Sequence, residues 1–547
     1  HLQLPAWRPG RYELQNFAQK IRKFEVFDQN GRPLRHEKVT KDRWRIEAGN
    51  ATEVLVRYDF YAHQMDAGGS WLDENQLYIN GVNCFMALEG RELSPCELTL
   101  DIPDNWQIAC GLEQVRPKVL LAANFDELVD CPLIASPTLQ HEVYTVQNIP
   151  FHVWVQGDCR IDWSRLLSDF RAFTEEQLRL FHDFPVRDYH FLFQVLPYKH
   201  YHGVEHSNST TITLGPAETI MEWSSYKELL GVSCHELFHT WNIKKIRPAE
   251  MMPYDFSREN YFRTGFVAEG VTTYYGDYLL ARSGVFPAEK YFDELNGVLK
   301  KHYDDSGRHH YSVADSSFDM WLDGYKPAVP DRRVSIYHKG ALAALVLDLE
   351  LRRLTQNHRS LDDVMRRLWN EFGKTGIGYT EEDYMKLVNE TAGSSFQHYF
   401  DSIIYGTIPL EPVLISALRY VGCDLKIEKS SISYETRFGF RTVQKAKTTQ
   451  ISSLAPDSPA AFVLTTDDEI IAVNGRKVDE NLEKLLSGKE TAELTVFRNN
   501  YLRTALLEAD GNPHFQKYTV AKRPDATPEE KENFERWLHQ EFNSVKS

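Results

Sequence analysis

Five consecutive residues near the middle of the chain, His235-Glu236-Leu237-Phe238-His239, have the types and spacing of a hydrolytic metal site. On a helix, side chains four apart stand one above the other on the same face. Two imidazoles so placed can grip one cation, while the glutamate leans in beside it as a general base. The flanks permit the helix. Leu229, Leu230, Val232, Leu237 and Phe238 supply apolar faces, and no proline falls between Pro216 and Pro248. A chain with 20 histidines can also meet this pattern by chance, as a helix with one buried and one surface imidazole. A third ligand and a group that binds substrate have to be found elsewhere in the chain.

A second stretch competes for the metal. His202-Gly203-Val204-Glu205-His206 spells the inverted pattern H-x-x-E-H, which needs a helix to bring its histidines together. It follows a strand-like run and a proline, has a central glycine, and leads into the β-rich Thr210-Thr-Ile-Thr-Leu214. In extended chain its histidines lie about 13 Å apart, too far for one ion. Glu205 remains useful as a carboxylate on an edge strand beside a cleft. Glu269 sits in a predicted helix over 260–282, among apolar and aromatic neighbours, an awkward place for a free carboxylate. Coordination to a divalent cation would relieve that cost. An arginine partner at the helix rim would do so equally, and the residues leave both readings open. Thr273, one turn on, is a weaker candidate for a hydrogen bond to a ligand.

These residues need a scaffold, and the chain is long enough to build several. Its 547 residues, 42% hydrophobic, suggest about three or four domains. Residues 1–160 read as all-β, with a turn at Asp28-Gln-Asn-Gly31 and alternation at Val54, Val56, Tyr58 and Phe60. No cluster of nucleophile, base or metal ligands shows there, and Trp7-Arg-Pro-Gly-Arg-Tyr12 reads as a rigid packing corner. Residues 161–410 turn helical, 411–510 form a small separate β-containing domain, and 511–547 are a tail with a charged helix over 526–544.

Composition narrows the partners. There are 78 acidic against 62 basic residues, net −16, which argues against nucleic acid and anionic membranes. No apolar stretch of membrane-spanning length occurs in the sequence. Seven scattered cysteines without C-x-x-C suggest unpaired thiols in a reducing compartment. Cys234, next to His235, points about 100° away on the helix and reads as packing. The opening His1-Leu-Gln-Leu-Pro, with no Met, looks like the middle of a strand, so a missing beginning is expected. The expected compartment is cytoplasmic, with periplasmic or secreted left open.

Taken together, His235-Glu-Leu-Phe-His-Thr-Trp-Asn242, Glu269-Gly270 followed by Thr272, Tyr274 and Tyr275, and Tyr337-His-Lys-Gly340 resemble the glycyl aminopeptidase family. Trp7-Arg-Pro-Gly10, Leu128-Val-Asp-Cys-Pro132, Gly203-Val-Glu-His-Ser207 and Ser458-Pro-Ala460 follow in the order of that family, so the likeness spans nearly the whole chain. It implies a multidomain α+β protein: an N-terminal β-sandwich-like domain, a thermolysin-like, mainly α catalytic domain and a C-terminal PDZ domain. It implies that His235, His239 and Glu269 hold one Zn²⁺ and that Glu236 activates a water. Glu205 then clamps the free α-ammonium of a peptide, and Tyr337 donates to the oxyanion. The implied activity is removal of an N-terminal Gly or Ala from peptides. The alternatives are an endopeptidase of the same chemistry and a non-catalytic scaffold that binds a peptide or protein through its PDZ domain. Two departures stand out. His202 replaces the first of two glycines usual before the clamp, and Asp467-Asp468 replaces the Gly-Asp usual in the PDZ turn, with Arg437-Phe-Gly-Phe440 a loose match to its carboxylate loop.

Overall fold

Beneath the site lies a sheet of five strands, β1 (Gln140–Val146), β2 (Ile149–Gln156), β3 (Tyr189–Val195), β4 (His200–Glu205) and β5 (Ser209–Gly215). Their order is β1-β2-β3-β5-β4. The computed structural model that shows this describes residues 1–326, 328–445, 448–479 and 481–543. Strands β2, β3 and β5 run parallel, and β3 and β5 are buried along their whole length. A strand buried on both faces needs no polar alternation, hence the runs Tyr-His-Phe-Leu-Phe-Gln-Val and Ser-Thr-Thr-Ile-Thr-Leu-Gly. At the edge, β4 pairs antiparallel with β5, Glu205 opposite Thr210, and with no second strand among the described residues. The sheet also corrects a boundary. Strands β1 and β2, grouped on the sequence with the N-terminal domain, are hydrogen-bonded into this sheet instead.

The helices of the catalytic part include α1 (Trp163–Phe181), α2 (Trp223–Phe238), α3 (Thr272–Arg282), α4 (Ala288–Asp304) and α5 (His338–Leu354). Helix α1 starts where the Asp162 side chain accepts from the Arg165 amide and stops at His182, whose φ is 69°. Helix α2 packs on α3 through Phe238 stacked on Tyr275, ring centres 4.7 Å apart. The helix predicted over 260–282 begins later. Asn260 uses its side chain to accept from the Asp255 amide and to donate to the carbonyls of Asp255 and Arg258, which holds that stretch as a loop. Helical winding starts with a π turn, Phe266–Val271, that runs straight into α3.

Residues 1–137 are β-rich, and every strand pair described there is antiparallel. At the other end, strand Cys423–Glu428 pairs with Lys517–Lys522, Glu428 opposite Lys517, and both lie against the catalytic core through Leu425 and Val520. Between them residues 432–509 form a small β domain with a hydrophobic core of its own, running from Tyr434 to Leu507. The C-terminal tail docks on the catalytic part through its helix. Its helix, Pro528–Leu538, buries Trp537, whose carbonyl accepts from the Tyr278 hydroxyl of α3 at 2.8 Å. Residues 544–547 of that tail lie outside the described residues.

Candidate active site

Helix α2 carries His235, Glu236 and, at its C-terminal cap, His239. The His239 Nδ1 atom lies 2.9 Å from the main-chain oxygen of Asn242. That oxygen can only accept, so Nδ1 carries the proton and Nε2 is left as the ligand atom. Asn242 is itself fixed, donating from its amide to the carbonyl of Val267 at 2.8 Å and the hydroxyl of Thr272 at 2.9 Å. These bonds tie the end of α2 to the π turn that presents Glu269. A π turn inserts an extra residue into the winding and re-aims the side chains around it.

Glu269 is buried, and its two oxygens have separate roles. Oε1 accepts from the hydroxyl of Tyr12 at 2.8 Å. Oε2 faces the imidazoles, 3.4 Å from His239 Nε2 and 3.8 Å from His235 Nε2, and those two nitrogens are 3.1 Å apart. Zinc bonds of about 2.0–2.1 Å in a tetrahedron separate ligand atoms by about 3.3–3.4 Å. The donor set therefore fits one Zn²⁺ in size and in chemistry, two nitrogens and one carboxylate oxygen.

The charge around these ligands makes the same point. Glu205, Glu236 and His239 offer atoms within 4.8 Å of one another, so three buried carboxylates crowd two imidazoles. Burial, then the neighbouring carboxylates Glu205 and Glu269, push Glu236 well above the ordinary carboxyl value. Burial also raises Glu205. Burial alone would lower His239, but Glu269, Glu205 and Glu236 push it up to about 10. Buried oxygens Glu205 Oε1 and Glu236 Oε2 have no hydrogen-bond partner among the described residues. Such a pocket is short of positive charge, which a divalent cation and a substrate ammonium would supply.

Tyr337 reaches the same cavity as the residue that caps α5. It is close to Glu269 because Gly270 and Gly340 let their segments touch. A Cβ on Gly270 would lie 2.5 Å from the Gly340 Cα. The Tyr337 hydroxyl lies 3.2 Å from that of Tyr325, which donates in turn to the Gly10 carbonyl at 3.4 Å. Gly10 has φ +78°, and a Cβ there would stand 2.3 Å from Glu205 Oε2. Only glycine lets that loop press against Glu205.

Beyond the ligands, Asp130 holds three segments together. It accepts from Lys244 Nζ at 2.8 Å, from His206 Nδ1 at 3.2 Å, and from the amide of Ser207 at 3.0 Å. Burial would raise its carboxyl, but Lys244 and His206 hold it well below the carboxylate range. Since His206 follows Glu205, this network fixes the end of the edge strand.

All six residues singled out on the sequence, Glu205, His235, Glu236, His239, Glu269 and Tyr337, thus meet in one cavity. The competing pattern does not. His202 and Glu205 lie in the extended β4, and His206 turns to Asp130. Cys234 faces α1, accepting from Gln177 Nε2. Thr272 rather than Thr273 braces the ligand helices, while Thr273 lines the cavity. Tyr12, Tyr325 and Asp130 were not foreseen in these roles. Tyr12 and Asp130 lie in sequence motifs noted at the outset, but no local pattern says that a β-rich region reaches a helical site.

Residues 1–137 match the family model of the peptidase M61 N-terminal domain, and residues 228–343 that of the M61 glycyl aminopeptidase. Both M61 domains are present in the chain, and the protein is a peptidase. Its fold is similar to that of an aminopeptidase N family protein from Idiomarina loihiensis, at 28% identity and TM-score 0.89, covering 98% of this chain and 94% of that one. An M1 zinc metallopeptidase from Deinococcus radiodurans, bound to a Tyr-Ser-Ala substrate, matches at 15% identity and TM-score 0.45, covering 75% and 86% of the two chains. The comparison with curated proteins found no match. No helix among the described residues is long and apolar enough to cross a membrane.

Proposed function

We propose that the protein is a zinc-dependent aminopeptidase that removes a small N-terminal residue, Gly or Ala, from peptides. One observation carries the reading. A buried carboxylate with an unsatisfied oxygen, Glu205, sits beside the candidate base and ligands, and the Gly10 loop closes the space behind it. A peptide entering such a site meets the carboxylate with its α-ammonium and cannot run on past it. Crowding of that end by Gly10, Tyr325 and Tyr337 favours a side chain no larger than a methyl group.

His235, His239 and Glu269 would hold Zn²⁺, which when bound would supply a Lewis acid for the scissile carbonyl and for a water. Glu236 takes the proton of the attacking water and returns it to the leaving amine. Tyr337, kept protonated far above neutrality, first by burial and then by Glu269, donates to the developing oxyanion. Glu205 pairs with the α-ammonium and sets the register of cleavage.

The domain at 432–509 fits a PDZ assignment in having an edge strand, Phe440–Lys445, and a short helix, Leu482–Leu486. Asp468 of its departing turn is buried and paired with Arg498 at 2.7 Å.

Hydrolysis of glycyl- and alanyl-p-nitroanilide, free and N-acetylated, with and without a chelator, tests the reading. Chelator-sensitive cleavage of the free-amine compounds alone is expected. Cleavage of the acetylated compounds would discard Glu205 as the clamp and favour an endopeptidase. Glu236→Gln should lower kcat by about 10²–10⁴ with the fold intact, as circular dichroism would show.

A further inference from the structure

The cavity, about 500 Å³, continues past the metal ligands in the direction away from Glu205. Glu205 lies by His239, at the C-terminal end of α2, whereas the far part is lined by Lys227, Glu228 and Gly231 from that helix's earlier turns. With the α-ammonium held at Glu205, the leaving part of a peptide must run toward this end. Its walls are open. Gly231 of α2, Gly276 of α3 and Gly297 of α4 all line it, and a Cβ added at Gly297 would meet nothing within 4 Å.

Into this channel α3 sends Asp277. Its Oδ1 lies 3.5 Å from where a Cβ on Gly231 would stand. Gly231 precedes His235 by four residues, about 6 Å along the helix, and an extended peptide covers that in about two residues. Among the described residues the Asp277 carboxylate makes no hydrogen bond or ion pair. Lys227, the nearest candidate on α2, is engaged with Glu294 at 2.5 Å. Lys301 is exposed to solvent at the mouth. Burial, then the nearby Glu294, push the Asp277 carboxyl up to about 7 against the opposing pull of Lys227 and Lys301, neither of which pairs with it.

We infer that Asp277 forms a subsite for a cationic side chain, lysine or arginine, at the first or second residue of the leaving peptide. The inference rests on the aminopeptidase reading, which sets the direction of the bound chain. It gives the channel a chemical preference that the metal site alone does not.

Binding separates the two readings. The zinc-loaded Glu236→Gln protein is titrated calorimetrically with Gly-Lys-Ala-Ala, Gly-Ala-Lys-Ala, Gly-Ala-Ala-Ala and Gly-Glu-Ala-Ala. One of the lysine peptides is expected to bind about tenfold tighter than the alanine peptide, and the glutamate peptide more weakly. Adding Asp277→Asn should bring the lysine-to-alanine ratio to about one, and Asp277→Lys should turn the preference toward glutamate. Because each ratio is taken within one folded variant, a general loss of affinity does not mimic the result. Equal affinity for the lysine and alanine peptides would overturn the subsite. So would a preference that survives Asp277→Asn, or tighter binding of the glutamate peptide, which would assign the channel to Lys301. If N-acetylated versions bind as well as the free amines, the aminopeptidase reading falls separately.

Discussion

The N-terminal β-rich region sends Gly10, Tyr12 and Asp130 to the candidate site, whereas the small β domain at 432–509 sends none of its described residues to the cavity. Their packing differs in the same way. The N-terminal region divides its apolar residues among several small clusters, and Trp7 and Tyr12 belong to the core of the catalytic part. The small domain holds one core of its own and hangs from a pair of adjacent strands. Two regions of similar secondary structure can thus have opposite standing. The first completes the active site and leans on it for stability, and the second is a module set apart from it.

The largest effect is expected where the first region is locked on. Asp130→Ala leaves Lys244 buried without its carboxylate and should cost about 3–5 kcal/mol in urea unfolding. Because the folded carboxyl is held low, its contribution is present above the unfolded value and lost as pH falls. The gap from wild type should therefore narrow below about pH 4. If Asp130→Ala is as stable as wild type, the N-terminal region is not part of the catalytic unit.

A smaller loss is expected at Tyr12. Removing its hydroxyl frees Glu269 Oε1, and Tyr12→Phe should weaken zinc by about 10–100-fold in competition with a chromogenic chelator. Unchanged affinity would reduce Tyr12 to packing. The least effect is expected from the module. Glu428 and Lys517 face each other across one strand pair, so residues 429–516 can be replaced by a two-residue Asn-Gly hairpin turn. The shortened protein should cleave glycyl-p-nitroanilide with kcat/KM within about twofold of the full chain. A large loss would erase the contrast between the two regions.

Local spacing determined much of the site. Residues His235, Glu236 and His239 depend only on the pitch of one helix, and Glu205 on the strand character of its neighbours, so short-range pattern was enough for them. Glu269 was open to a metal or an arginine partner, and the choice lay in the packing of α3 on α2. The extent of that second helix was overestimated because Asn260 binds backbone with its side chain, a competition that apolar periodicity does not register. The sequence groups strands β1 and β2 with the N-terminal region for a related reason. Alternation identifies a strand, but partner strands are fixed by hydrogen bonds to β3, more than thirty residues later.

By itself, then, the sequence determined which side chains could do the chemistry, since helical and strand periods order neighbours within a few residues. Only the tertiary structure decided that Tyr12 meets Glu269, that Asp130 anchors the end of the strand carrying Glu205, and that Asp277 lines the same cavity as the metal ligands. The physical reason is distance along the chain. Tyr12 and Glu269 are 257 residues apart, and such pairs meet only when separate layers pack and exclude water between them.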